Sequence, residues 1–495
     1  MFKSIVAVDI ENVKKNYRDV GDVISNEYDG DENKYLASLP LVQYGEVRPY
    51  QNYILQDKFQ DYISRQDYSV RKELDSLLYC GRSVISYTPA PAGICPSENY
   101  VEVFDNGKKA FFGGLVHCRS PWACPVDTPK ILFKRSQEIT KIIEWAYDKK
   151  GKRKDDRLCC IMITFTAEHH KDTNLKFLIS CFKKALRRFK GGRSWQVLKK
   201  MIGFKHSISG YETTYSHQNG FHFHLHQLLF ISQRKLRQLT IDFESDLRLR
   251  WLKCFEKEAG QVSNEAVFLK RGLVISRDKN GKVGLMHSGD YILGWSAENE
   301  LTDGIGKSHK NGNIDIFDLL ESDDEEDIGK FVEYALATKG KQRIIFSKGL
   351  KKVAGIDEKT DEEILEEEQE KSKLESFGVA RWIRNDWNII MEKSRKLSKF
   401  YRAYILLIAH NYGYEGLVNY CVAEGLPKPK PFLDVGDSLA LEKSPPENID
   451  LEQSKSLIAD EDYNHNGLIE FMSRFAEIVE DGSVYDDGYS FEEVD

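Results

Sequence analysis

The stretch "GFHFHLHQLLF" at residues 220–230 packs three of the chain's 12 histidines into five residues. On an extended strand alternate side chains share a face, so His222, His224 and His226 line one side and Phe221, Phe223 and Leu225 the other. The apolar side suits a core. A row of imidazoles fills space poorly and holds a metal ion well. The alternation excludes the helical HExxH zinc site, which needs histidines at i and i+4. A cupin-type barrel also uses His-x-His on a strand, but it wants a glutamate a few residues later and a distant second histidine. Neither follows His226.

Neighbouring segments must carry that strand. Ile, Leu and Trp over 131–148 are spaced as on an amphipathic helix. "LCCIMITFTA" (158–167) reads as a strand, and 174–192 as a helix with an apolar side, a Lys/Arg side and a glycine end. "ISGYETTYS" and "HFHLHQLLFI" read as two strands joined by a "HQNG" turn. Residues 233–258 read as helix and 264–285 as strand. This order predicts an α+β fold, an antiparallel sheet with helices on one face. The expected divisions are a motif-free region at 1–75, a Cys-containing module at 76–135 and the domain around the histidine strand at 136–350. An acidic connector at 351–376, a helical segment at 377–434 and an acidic tail at 435–495 complete the chain.

At 495 residues the chain has room for two to four domains. No apolar run reaches the roughly 18 residues that span a bilayer, and "MFKSIVAVDIENVKKN" lacks a signal-peptide layout, so no membrane partner is expected. Nine scattered cysteines suit a reducing cytoplasm. The net charge of −7 hides an asymmetry: residues 130–205 hold 21 Lys/Arg against 7 Asp/Glu, and residues 435–495 hold 3 against 17. The basic block predicts a polyanion partner and the acidic end a solvated tail. On the helix at 174–192, Lys183, Lys184, Arg187 and Arg188 share a face. Leu175, Leu178, Phe182 and Leu186 would pack inward and turn that face toward DNA phosphates.

From about Cys80 into the 420s these segments resemble the replication initiator (Rep) proteins of rolling-circle plasmids, members of the HUH endonuclease superfamily. "IMITFTAEHHKDTNLKFLISCFKKALRRFKGGRSW" is similar to the family's first motif and the helix after it. "GYETTYSHQNGFHFHLHQLLF" is similar to the second, with Phe223 where the family often has proline. "KGKQRIIFSKGLKKVAGIDEKTDEEI" (339–364) is similar to the segment that follows the catalytic domain. The resemblance implies an HUH-like fold and a metal-dependent endonuclease that nicks one strand at a plasmid origin by tyrosine attack. The products are a 5′-phosphotyrosine and a 3′-hydroxyl primer; the implied partners are DNA and the host helicase and polymerase.

Residue by residue, the resemblance implies His224 and His226 as ligands of Mg²⁺ or Mn²⁺, with His222 as the alternative. Glu212, on the preceding strand, would be an oxygen ligand brought in by the hairpin. The third motif, a tyrosine followed after two residues by lysine, points to Tyr291 in "HSGDYILGWSAENELT" (287–302). Gly294 stands at the lysine position, so Lys307 or Lys310 would have to supply the cation. Tyr334, with Lys339 nearby, is the alternative nucleophile. Glu298 and Glu300 are candidates for activating water in the closing step. "GLVHCRSPWACPVDTPK" (114–130) is similar to a family stretch ending Cys-Pro-x-Cys. It implies Zn²⁺ on Cys80, Cys118 and Cys124 with either Asp127, which replaces the last cysteine, or His117. Two rival functions stay open. One is an HUH transposase or mobilisation relaxase; the other is a DNA-binding replication regulator that no longer cleaves, which the missing lysine favours.

Overall fold

The histidine strand is the centre of its sheet. The computed structural model describes residues 44–85, 100–148, 157–277, 282–285, 314–322 and 324–432. Strands β1 (Tyr100–Asp105), β2 (Ala110–Gly113), β3 (Leu158–Thr166), β4 (Phe204–Ser216), β5 (Gly220–Ser232), β6 (Leu273–Ile275), β7 (Ile344–Phe346), β8 (Phe377–Ile383) and β9 (Lys430–Pro431) form two sheets. Their orders are β6-β3-β5-β4-β7 and β2-β1-β8-β9, and every pairing is antiparallel. Among the described residues, the helices longer than ten residues are α1 (Tyr44–Ser64), α2 (Asp127–Tyr147), α3 (Leu175–Phe189), α4 (Gly192–Ile202), α5 (Ile241–Ala259), α6 (Glu325–Thr338), α7 (Asp361–Leu374), α8 (Arg384–Leu397) and α9 (Tyr401–Ala423). The fold is therefore α+β with antiparallel sheets. Among the described residues no helix is long and apolar enough to cross a membrane.

The β4–β5 hairpin closes through His217, Gln218 and Asn219, between the paired Ser216 and Gly220. Gly220 sits at φ +76°, and a Cβ there would lie 2.8 Å from the Lys171 carbonyl oxygen. Glycine is the residue that turns this corner without strain. Beyond the turn, alternation sorts the side chains. The odd-numbered residues of β5 meet α3 and α5: the Phe182 ring lies 5.1 Å from Phe223, and Trp251 lies 5.1 Å from Phe165 and 5.2 Å from Phe182. On the opposite face, Ile139, Ile142 and Ile143 of α2 pack against Cys160, Met162, Ile208, Leu228 and Phe230. Helices thus cover both faces of the sheet, not one as the element order predicts. The reason is that α2 precedes β3 in the chain and packs on the face that α3 leaves.

Two segments also differ from the sequence-based expectation. The stretch 264–285 opens with a short helix, Glu265–Arg271, because the Asn264 side chain accepts from the Val267 N–H at 3.0 Å and caps it. The stretch 377–434 opens with a strand, β8, which pairs with β1 from Tyr100↔Ile383 to Asp105↔Phe377. The acidic connector is helical as expected; Thr360 and Glu363 form a capping box at the start of α7.

Trp251 is fully buried, and its Nε1–H donates to the Thr166 carbonyl at 3.1 Å. Trp251→Ala should lower stability by roughly 3–5 kcal/mol, the usual loss for a core tryptophan. A urea titration showing less than 1 kcal/mol would mean that this aromatic layer does not anchor the sheet.

Candidate functional site

Strand register alone brings three ligand-type side chains together. Glu212 on β4 lies directly across from His224, and Thr164 on β3 directly across from His226. Opposite His226 on the other side is Gly210, which has no side chain to crowd it. Glu212 can therefore lean diagonally along the face. Its Oε2 lies 2.9 Å from His224 Nε2 and 3.1 Å from His226 Nε2. This group sits just past the apolar patch that α2 covers, where the same face turns from Cys160, Met162 and Leu228 to Thr164, Glu212 and the histidines.

Burial pushes the Glu212 carboxyl up, and the two imidazoles override it, first His224 and then His226. The net effect holds the group well below the ordinary carboxylate range. A lasting carboxylate between two Nε2 atoms is a candidate metal-ligand set; all three ligand atoms lie within 4.8 Å of one another. Behind it, His226 Nδ1 lies 3.1 Å from Thr164 Oγ1. If Nε2 binds a cation, Nδ1 carries the hydrogen and donates to that hydroxyl; without the cation the hydroxyl can donate to Nδ1 instead. The His224 Nδ1 is buried and has no hydrogen-bond partner among the described residues. His222 is outside this group: its ring stacks on His169, with centroids 4.9 Å apart. Sequence reading singled out neither Thr164 nor His169. Their signals were the alternation of β3 and the "EHH" that follows it.

A second group forms around the Cys-Pro segment. Cys80, Cys118, Cys124 and Asp127 bring their ligand atoms within 4.8 Å of one another. Asp127 Oδ2 accepts from the thiols of Cys80 and Cys118, each at 3.4 Å, while its Oδ1 lies 2.7 Å from His117 Nδ1. The carboxylate thus faces the sulfurs, and the imidazole braces it from behind. Burial opposes the Asp127 charge, but His117, Lys130 and the Arg119 N–H keep it ionised. The Arg119 backbone is left-handed (φ 57°), an unfavourable state for arginine that turns its N–H to within 3.2 Å of Oδ2. Backbone N–H groups also reach the sulfurs: Cys118 to Cys80 at 3.3 Å and Asp127 to Cys124 at 3.2 Å.

The two candidate nucleophiles fare differently. Tyr291, with Glu298, Glu300, Gly294, Lys307 and Lys310, lies outside the described residues. Tyr334 is fully buried in α6; its hydroxyl donates to the Trp122 carbonyl at 3.2 Å, and burial pushes its phenol far up. A phenol held that way is badly placed to attack a phosphate. On α3, Leu175, Leu178, Phe182 and Leu186 are buried while Lys184 and Arg187 are exposed. Lys183 lies over the Tyr211 ring at 5.2 Å, and Arg188 is committed to Glu258 at 2.5 Å. Among the described residues, Lys184 and Arg187 therefore keep an uncommitted charge.

Thr164→Val should weaken Mn²⁺ binding about 10- to 100-fold, the usual loss when the partner of a ligating histidine is removed, with Thr164→Ser close to wild type. Calorimetric titration checks it; equal affinities for Val and wild type would reduce the hydroxyl to a spacer.

No protein-family profile and no solved structure matches the chain. The chain is similar to a protein named "Protein rep" from Streptomyces lividans, 24% identical over 310 residues. That match covers 49% of this chain and spans 65% of the length of its relative.

Proposed function

We propose that the chain is a rolling-circle replication initiator of the HUH type, which nicks one strand of origin DNA. The observation that carries this reading is the Glu212 carboxylate held between the Nε2 atoms of His224 and His226 at 2.9 and 3.1 Å. Two imidazoles and one carboxylate leave positions for phosphate oxygen and water, a set suited to Mg²⁺ and better to Mn²⁺. Such an ion polarises a phosphodiester and offsets the charge that develops on it. The similarity to a protein named "Protein rep" favours an initiator over a transposase or relaxase.

In this reading Tyr291 is the nucleophile. Its oxygen forms a bond to phosphorus, the phenolic proton leaves, and the bond from phosphorus to the 3′-oxygen breaks. The 3′-oxygen takes up a proton and becomes a primer. The bond energy is kept in the phosphotyrosine, so resealing needs no ATP. Glu298 or Glu300 would activate water for the closing step. The exposed charges of α3 contact backbone phosphates and position the strand without reading bases. Host helicase and polymerase would then extend the primer in the cytoplasm. The reading in which the chain binds origin DNA without cutting rests on Gly294 in place of the motif lysine.

The second group fits Zn²⁺: three sulfurs and one carboxylate oxygen are a closed tetrahedral set, and backbone N–H groups already point at two of the sulfurs. Zinc would supply folding energy there rather than chemistry. Plasma emission spectrometry should find one zinc per chain, lost in Cys124→Ser and retained in His117→Ala at lower affinity. Full zinc content in Cys124→Ser would remove this assignment.

Incubated with Mn²⁺ and single-stranded origin DNA, the protein should form an adduct that survives denaturing gels and carries the 5′ end. Tyr291→Phe should abolish the adduct and keep DNA binding; Glu212→Gln and His224→Ala should each cut its rate at least a hundredfold, on the scale of losing a metal ligand. DNA binding with no adduct under any metal condition would leave the non-cleaving regulator as the better account.

A further inference from the structure

The metal-ligand histidines are part of a longer row. His226 and His224 have ring centroids 4.6 Å apart, His224 and His222 4.9 Å, and His222 and His169 4.9 Å. The geometry changes along that row. The first pair is edge-on at 84°, the second tilted at 38°, and the last nearly parallel at 27°. Only the His222–His169 pair is a face-to-face stack. Neither of its members joins the carboxylate-centred ligand group.

His169 is held in place by its own loop. Its Nδ1–H donates to the Ala167 carbonyl at 3.3 Å. The Ala167 N–H donates to the Phe223 carbonyl at 3.3 Å, which ties the loop to β5. The His170 N–H donates to Thr173 Oγ1, and the Thr173 N–H returns to the His170 carbonyl. The Glu168 carboxylate accepts from the Ser263 N–H and hydroxyl, 2.6 Å to the hydroxyl. Both His169 and His222 keep part of their surface open to solvent. A fixed, partly open pair of flat rings beside a metal-ligand group is costly to build for packing alone.

We infer that the His169–His222 stack is a nucleobase platform, which takes a base of the strand whose phosphate is held at Glu212, His224 and His226. This rests on the nicking function proposed above. His222 lies between His224 and His169, with ring centroids 4.9 Å from each, so the face that a base can cover is the outer face of His169, and a strand with a phosphate at the ligand group runs past His222 to lay a base there. Stacking tolerates any sequence, because every base has a π-face, whereas the α3 charges touch only the backbone. The platform therefore supplies what a basic surface cannot: a preference for strands with unpaired bases.

The test uses the full chain and two 20-mers of equal charge, oligo-dT and a fully abasic deoxyribose-phosphate strand, measured by fluorescence anisotropy. His169→Ala should weaken oligo-dT binding about 5- to 100-fold, the range for losing one base–aromatic stack, and leave abasic binding unchanged. His169→Phe should restore oligo-dT binding, and Mn²⁺ affinity should be the same in all three proteins. Equal losses on both strands, or no rescue by phenylalanine despite an unchanged urea midpoint, would overturn the platform. If the wild-type protein forms no adduct with single-stranded origin DNA, the nicking function fails and takes the platform with it; if it forms the adduct but binds oligo-dT no better than the abasic strand, the platform alone fails. If it binds and nicks while His169→Ala binds oligo-dT normally, only the platform fails.

Discussion

Everything at the candidate site depends on one register, Glu212 opposite His224 between β4 and β5. A slip of one residue would turn every histidine to the other face and bury it against α3 and α5. Two features of different kind prevent that. The left-handed Gly220 fixes the length of the turn, and the rings of Phe223 and Tyr211 fill the space around Phe182. Burying a carboxylate is costly unless it is paired. Glu212 is paired twice, so the carboxylate that would otherwise destabilise the sheet helps lock its register.

Polar groups tie the cysteine group to the first sheet and to α1 and α9 in a similar way. Trp122, in the loop between Cys118 and Cys124, donates from Nε1 to the Lys341 carbonyl at 2.6 Å, and Arg343 lies over its ring at 5.2 Å. The Arg343 carbonyl in turn accepts from the Tyr211 N–H at 2.9 Å, on the residue next to Glu212. On the far side of the cysteines, Gln56 of α1 donates to Cys124 Sγ at 3.3 Å and accepts from Arg402 of α9 at 2.6 Å. Arg402 is fully buried and also binds Asp57 and Gln60. A buried ion pair of that kind adds little net stability over a well-packed apolar pair. Its effect is orientation: α1, α9 and the cysteine group meet in one arrangement.

Much of the first sheet was legible because alternation and turn chemistry are local. "LCCIMITFT" and "HFHLHQLLFI" announced themselves as strands, and "HQNG" as the turn between them. The helix at 175–189 was visible from its apolar stripe and its glycine end; the structure adds the Asn174 cap. Local signals misled where a neighbour distant in sequence decided the outcome. Phe377–Ile383 is a strand because β1, some 270 residues earlier, offers it an edge. No periodicity within 377–424 reveals that edge. The second sheet was hidden for the same reason, although "FDNGKKAFFG" carries an Asn-Gly hairpin turn.

The sequence by itself determined which residue types could meet: histidines on one face of a strand, a glutamate one hairpin away, three cysteines and an aspartate near a Cys-Pro. It could not decide which two of the three histidines stand beside Glu212, or between Asp127 and His117 as the fourth member of the cysteine group. Those choices depend on side-chain geometry across strands and loops. The register points Glu212 at two imidazoles and leaves His222 to His169, while a left-handed Arg119 helps turn one Asp127 oxygen to the thiols and leaves the other to His117. Residue type is written in the chain, but the angle at which two side chains meet is fixed only when distant segments pack.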